Sequence, residues 1–199
     1  MNIVIIKYNA GNVFSVDCAL RRIGVEAAVT DDFELICRAD KVIFPGVGEA
    51  STAMAYIRER GLDEVIKSLT QPVLGICVGL QLMCRSSEEG NAECLGIFDA
   101  GVKRFDNTGI TGSFKIPHMG WNNIRVEKQD DGLLCDADGR YVYFVHSYYA
   151  PVCADTVAVA DYITEFSAAM RKDNFYATQF HPEKSGSVGE SILKRFIEL

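Results

Sequence analysis

Pro72-Val-Leu-Gly-Ile-Cys-Val-Gly-Leu-Gln-Leu-Met83 is the stretch that decides the fold. Val73 to Ile76 is an apolar run of the kind that forms a buried strand. It breaks at Gly75-Ile-Cys-Val-Gly79, and Leu80, Leu82 and Met83 then begin a helix-like pattern. Small residues on both sides of Cys77 suit a tight strand-to-helix turn with a nucleophile at its apex. The spacing is that of G-x-S-x-G with cysteine in place of serine. A thiol at a helix N-terminus sits at the positive end of the helix dipole, which favours the reactive thiolate. Taken alone, the same residues equally describe a buried structural cysteine in a strand-helix corner.

The segments before this turn alternate between strand and helix patterns. Ile3 to Ile6 reads as a strand, followed by a turn at Tyr8-Asn-Ala-Gly-Asn12 and a helical stripe from Val13 to Ile23. Val25 to Val29 reads as a second strand, and Asp31-Asp32 would cap a short helix through Cys37. Lys41 to Phe44 is a third strand running into Pro45-Gly-Val-Gly48, with helices over Ala50 to Arg60 and Leu62 to Leu69. This alternation predicts an α/β fold with a mainly parallel sheet. Such sheets bind ligands beyond the C-terminal ends of their strands. Asn9 to Asn12, Pro45 to Gly48 and Cys77 are expected on that edge.

The second half reads as short strands: Leu95 to Phe105, Asn122 to Val126, Tyr141 to Val145, Thr156 to Tyr162, Phe166 to Met170 and Phe175 to Phe180. Turns at Asp130-Asp-Gly132 and Asp138-Gly139 predict hairpins, hence a mixed sheet. A helix over Val188 to Leu199 closes the chain.

With 199 residues, 48% of them hydrophobic, the length favours one domain with one core. The formal net charge of −7 provides no basic face for nucleic acid. No apolar run is long enough to span a bilayer, and Met1 to Lys7 reads as a first strand rather than a leader, so the cytoplasm is the expected compartment. Seven cysteines without a C-x-x-C pair indicate neither a disulfide framework nor a metal site. Cys18, Cys37 and Cys84 read as small core residues. With no phosphate-cradling loop either, no cofactor is implied.

A cysteine nucleophile needs a base, a group to orient that base, and an oxyanion hole. His181 stands in Gln179-Phe-His-Pro-Glu183, just past a strand, with Glu183 two residues on to hold the imidazole tautomer. His118 and His146 sit among apolar residues and read as packing or backbone-bonding groups. The backbone N–H of Val78 would form one half of the oxyanion hole, and the glycines of Pro45 to Gly48 permit the close approach the other half requires.

Gly75-Ile-Cys-Val-Gly-Leu-Gln81 together with His181-Pro-Glu183 resembles the class I glutamine amidotransferases, whose triad is Cys-His-Glu. The resemblance runs from residue 1 to the C-terminus. It implies one amidotransferase domain over residues 1–199, with a flavodoxin-like three-layer fold around a mixed, mainly parallel sheet. Asn9-Ala-Gly-Asn12, Pro45-Gly-Val-Gly48, Lys115-Ile-Pro-His-Met-Gly-Trp-Asn122 and His181-Pro-Glu-Lys-Ser-Gly186 resemble one subfamily, whose glutaminase feeds ammonia to a (β/α)8-barrel cyclase. The resemblance implies a Cys77 thioester with glutamine, proton transfer by His181, and orientation of that histidine by Glu183. It assigns Gln81, Glu89, Ser147 and Tyr148 to glutamine binding, and Val47 and Gly48 to an oxyanion loop that rearranges when the partner binds. It places Asn12, Met119, Trp121 and Lys184 on the docking face. Trp121 reads equally as a core aromatic, and Lys184 as a solvated lysine. Val78 stands where leucine is commoner, a change without weight because only its N–H is used.

Two other readings remain at this point: a glutaminase serving a different synthase or acting alone, and a non-enzymatic module that keeps the fold. The complete Cys77, His181 and Glu183 set argues against the module.

Overall fold

The computed structural model describes residues 1–9, 12–46, 48–109, 114–128 and 132–199. The first half forms Ile3–Ile6 (β1), Val13–Arg22 (α1), Ala28–Thr30 (β2), Phe33–Arg38 (α2), Lys41–Gly46 (β3), Ala50–Glu59 (α3), Leu62–Ser68 (α4), Val73–Cys77 (β4) and Val78–Met83 (α5). The second half contributes Ser86–Ser87 (β5), Ala92–Glu93 (β6), Gly101–Arg104 (β7), His118–Asn123 (β8), Arg125–Val126 (β9), Tyr141–His146 (β10), Tyr148–Tyr149 (β11), Thr156–Asp161 (β12), Glu165–Lys172 (β13), Phe175–Thr178 (β14) and Gly186–Glu198 (α6).

The main sheet runs β2-β1-β3-β4-β14-β13-β12-β9. Its first five strands pair in parallel, and β13, β12 and β9 join antiparallel. The parallel part has the flavodoxin-like order, with β14 as its fifth strand. Every residue of β1, β3 and β4 is buried, as a sheet covered on both faces demands. The strand order reverses direction after β2, so right-handed crossovers put α1 on one face and α2 to α5 on the other. The α6 helix joins α1, where Arg22 pairs with Glu190. Two small sheets, β10-β8 and β11-β7-β5-β6, stand beside the C-terminal edge.

Asp32 caps α2, accepting from Leu35 N–H at 3.0 Å, as the sequence predicts. The expected strand from Leu95 to Phe105 shrinks to β7. Leu95, Gly96, Ile97 and Phe98 instead donate to the carbonyls of Leu82, Cys84, Met83 and Met83, satisfying the end of α5. The strand expected from Asn122 to Val126 splits into β8 and β9, which belong to different sheets. The Phe175 strand stops at Thr178, where Thr178 Oγ1 turns to donate to the Phe180 carbonyl. Cys84 is buried as expected, but Cys37 is exposed and Cys18 half-buried. Parts of the Asn9–Asn12 and Asp130–Gly132 turns lie outside the described residues. Among the described residues, no helix is long and apolar enough to cross a membrane.

Candidate active site

The ends of β1, β3, β4 and β14 meet at one edge, and the cleft lies there. Cys77, the last residue of β4, adopts φ 54° and ψ −106°, a conformation L-residues rarely take. The neighbouring glycines make this turn possible. A Cβ on Gly79 would lie 2.1 Å from the Phe44 carbonyl oxygen, and one on Gly46 would lie 2.4 Å from Gly79 N. The elbow therefore presses directly on β3, and the Val78 N–H opens α5 beside the sulfur.

A cleft of about 340 Å³ is lined by Cys77, Val78, Gln81, Gly48, Glu89 and His181, with Pro117 and the 145–148 segment opposite. His181 follows β14 and is held by its own N–H, which donates to the Tyr143 carbonyl at 2.9 Å. Its Nδ1 donates to Glu183 Oε1 at 2.7 Å, a pairing that fixes the tautomer and leaves Nε2 buried without a hydrogen bond among the described residues. Ser185 Oγ donates to the His181 carbonyl at 2.6 Å, and Tyr143 N–H donates to that same hydroxyl at 3.0 Å. The turn is also clamped from α6, because a Cβ on Gly189 would lie 1.8 Å from the Pro182 oxygen. Burial alone lowers the His181 pKa, but the Cys77 sulfur and the Glu183 carboxylate overcome it and push the imidazole up to about 10.

The sequence assigned Asn12 to a docking face. Its backbone is left-handed (φ 76°), and its side-chain Nδ2 donates to Glu183 Oε1 at 2.5 Å while standing 3.4 Å from His181 Nδ1. The second oxygen, Glu183 Oε2, is buried without a partner among the described residues. Asn12 thus joins the triad from the first helix.

Gln81 lies in the cleft wall with both amide hydrogens engaged, donating to the Tyr148 carbonyl at 2.9 Å and to Gln179 Oε1 at 3.0 Å. Its carbonyl oxygen is what it can offer a ligand. The Tyr148 carbonyl also accepts from His146 Nδ1 at 2.8 Å, so both its lone pairs are occupied. The Ser147 carbonyl accepts from Phe105 N–H at 3.0 Å and keeps one lone pair. Glu89 Oε2 accepts from Ala50 N–H at 2.9 Å; burial raises its pKa, opposed by that bond. Gly48 lines the cleft with φ 106°, whereas Val47 lies outside the described residues.

Sequence reasoning missed two neighbours of the sulfur. Gln179 Nε2 lies 3.7 Å from Cys77 Sγ, and its position directly before Phe180-His181 was the one available signal. Tyr8 is buried and donates to the Pro45 carbonyl at 2.5 Å; burial first, then the Cys77 charge, raises its pKa. His118 and His146 pack and bond as expected, linked Nδ1 to Nε2 at 3.0 Å.

The proposed docking residues surround the triad turn. Met119 and Trp121 alternate outward along β8, 63% and 56% exposed, and Lys184 is exposed. Trp121 meets Tyr143 edge-on at 6.1 Å between ring centres, and a Cβ on Gly186 would touch its ring at 4.0 Å.

The family model for glutamine amidotransferase class-I matches residues 5–199. A Bacteroides fragilis protein described as imidazole glycerol phosphate synthase subunit HisH is 61% identical over the full length of both chains. Proteins of the same description from Bacteroides thetaiotaomicron and Yersinia pseudotuberculosis are 57% and 44% identical, again covering both chains fully. Among solved structures, one titled glutamine amidotransferase has a TM-score of 0.73 at 20% identity, covering 98% of this chain and 97% of that one. PurLQS from Thermotoga maritima has a TM-score of 0.73 at 15% identity, covering 99% and 97%, a likeness of fold alone.

Proposed function

This chain belongs to the class-I glutamine amidotransferase family, and on that footing we propose the chemistry of its cleft. It is the glutaminase subunit of an imidazole glycerol phosphate synthase and serves histidine biosynthesis. Residues 1–199 make up its amidotransferase domain, a reading supported by the family match over residues 5–199.

Cys77 Sγ attacks the side-chain amide carbon of glutamine, and the oxyanion is held by the N–H of Val78 together with the Val47–Gly48 loop. His181 Nε2 takes the thiol proton as the sulfur attacks and passes it to the leaving nitrogen, and ammonia departs from a γ-glutamyl thioester. Nε2 then takes a proton from water, whose oxygen attacks the thioester carbon. Nε2 returns that proton to the departing sulfur, so glutamate leaves and the Cys77 thiol is restored. Glu183 keeps Nδ1 protonated throughout, and Asn12 steadies Glu183. Glu89 receives the substrate's amine, Gln81 offers its carbonyl oxygen, and Ser147 and Tyr148 shape the opposite wall.

The observation that carries this reading is the His181 Nδ1–Glu183 Oε1 bond of 2.7 Å, which turns the buried Nε2, without a hydrogen-bond partner among the described residues, to the cleft that Cys77 lines.

The partner is a (β/α)8-barrel cyclase, docked over Asn12, Met119, Trp121 and Lys184, which takes the ammonia without release to bulk water. Turnover is low until it binds, and the pair works in the cytoplasm. The test is glutamate formation from glutamine, by this chain alone and with the cyclase subunit and its nucleotide ligand. Near silence alone, a large rise with the liganded partner, and loss of both in Cys77→Ala are expected. Vigorous turnover unaffected by the partner would instead mark a free-standing glutaminase.

A further inference from the structure

Glu89 stands in the cleft with one of its two carboxylate oxygens already engaged. Ala50 is the first residue of α3, and its N–H is capped by Glu89 Oε2 from 39 residues away. The residue in the capping position, Glu49, makes no such bond; its carboxylate accepts from Thr52 Oγ1 at 3.0 Å instead. The turn carrying Glu89 is pressed onto the same helix start. A Cβ on Gly90 (φ 66°) would lie 2.3 Å from Ser51 Oγ and 3.0 Å from Glu49 Oε1. Glu89 N–H donates to Ser87 Oγ at 3.1 Å, which fixes the turn to β5.

Two residues before Ala50 is Gly48, in the cleft wall. The loop that contains it is tied at its other end by the Gly46–Cys77 register of β3 and β4. Whatever holds Ala50 therefore sets where Gly48 sits relative to the sulfur.

We infer that Glu89 is a positioning residue for the oxyanion loop as well as the ligand of the substrate's amine: Oε2 fixes the start of α3 while Oε1 receives the ammonium group. The inference rests on the glutaminase reading and deepens it. Burial disfavours the charge of this carboxylate, and an arriving ammonium restores it. A charged carboxylate is the stronger acceptor for the Ala50 N–H and the better neighbour for a helix N-terminus. Amine recognition and loop placement then act through one group.

The test compares steady-state glutaminase kinetics of the complex with liganded cyclase. Ala50→Pro deletes the capped N–H without touching Glu89. Proline suits a first helical position, and Glu49 already has the extended backbone (φ −98°, ψ 133°) preferred before proline. The expected result is a kcat at least about fivefold lower with KM within about twofold of wild type. Glu89→Gln keeps a carbonyl oxygen for Ala50 but loses the charge, so KM should rise about tenfold and kcat should fall about as far as it does with a substrate that lacks the amine. Because Ala50 is fully buried, thermal unfolding checks the proline variant. The wild-type complex with 4-carbamoylbutanoate, glutamine without its amine, gives an answer that needs no mutation. Its kcat should fall about tenfold or more, whereas a group that only binds the amine would raise KM alone. Wild-type kcat in folded Ala50→Pro, or an unchanged kcat with the amine-free substrate, overturns the inference and leaves the glutaminase standing. Absence of glutamate from glutamine in the wild-type complex overturns both.

Discussion

Asn12 Nδ2 donates to Glu183 Oε1 at 2.5 Å, so the first helix of the chain holds the carboxylate that orients the histidine after β14. Because Glu183 Oε2 is buried and unpartnered among the described residues, the carboxylate depends on Oε1 for both of its side-chain bonds. Asn12→Ala removes one of them and leaves Oε1 to His181 alone, at a stability cost of about 1.5–3 kcal/mol for a lost bond to a charged group. The imidazole loses part of its orientation, so kcat should fall about tenfold or more while KM for glutamine stays near wild type. Asn12→Asp should be worse, because it sets a second carboxylate against the first. Steady-state kinetics of the complex check both.

The elbow makes a prediction about stability. Gly79→Ala drives a Cβ to 2.1 Å from the Phe44 oxygen, a backbone atom of a central strand that cannot swing aside. The cost should exceed about 4 kcal/mol, seen as loss of soluble protein or a collapsed unfolding midpoint. Gly24→Ala is the control: φ is 79° there but nothing lies within 4 Å, so only the backbone penalty of about 1–2 kcal/mol applies.

The residues readable in advance are those whose partners lie close in sequence or whose type is forced by local geometry. Glu183 is two residues from His181, and the glycines around Cys77 announce their turn by spacing. Asp32 caps its own helix. Asn12 is 171 residues from Glu183, and Gln179 is 102 from Cys77. Both contacts exist only because β14 inserts beside β4, and no local pattern encodes that pairing. Leu95 to Phe98 failed as a strand for a related reason. Their N–H groups serve the end of α5, a demand invisible to a test of apolar runs.

The His118–His146 pair predicts acid sensitivity. Burial lowers the His118 pKa to about 4; burial, outweighing the bond to the Tyr148 carbonyl, lowers that of His146 to about 3. An unfolded histidine titrates near 6.5. Above that value neither state binds the proton and the pair adds no pH dependence. As pH falls from about 6.5 toward 4 and then 3, the unfolded chain binds protons the native one refuses, so stability falls. Urea unfolding at pH 7 and pH 5 should show this loss, and His118→Gln should reduce the difference between the two pH values. Ring NMR signals of both histidines should stay in the neutral form down to pH 5.

Trp121 separates a core role from a docking role. It is 56% exposed, its edge contact with Tyr143 is its one ring pairing among the described residues, and Met119 stands out beside it on the same side of β8. A core tryptophan cut to alanine costs about 3–5 kcal/mol of folding stability. Here most of the ring already faces water, so Trp121→Ala should cost less than about 1 kcal/mol by urea unfolding. An aromatic anchor at the centre of an interface behaves in the opposite way, losing about 2 kcal/mol or more of binding free energy when truncated. Calorimetric titration of the cyclase subunit with Trp121→Ala should therefore show at least about thirtyfold weaker binding from a chain that folds almost as well as wild type. Wild-type affinity together with a large loss of stability would return Trp121 to the core and move the docking face away from β8.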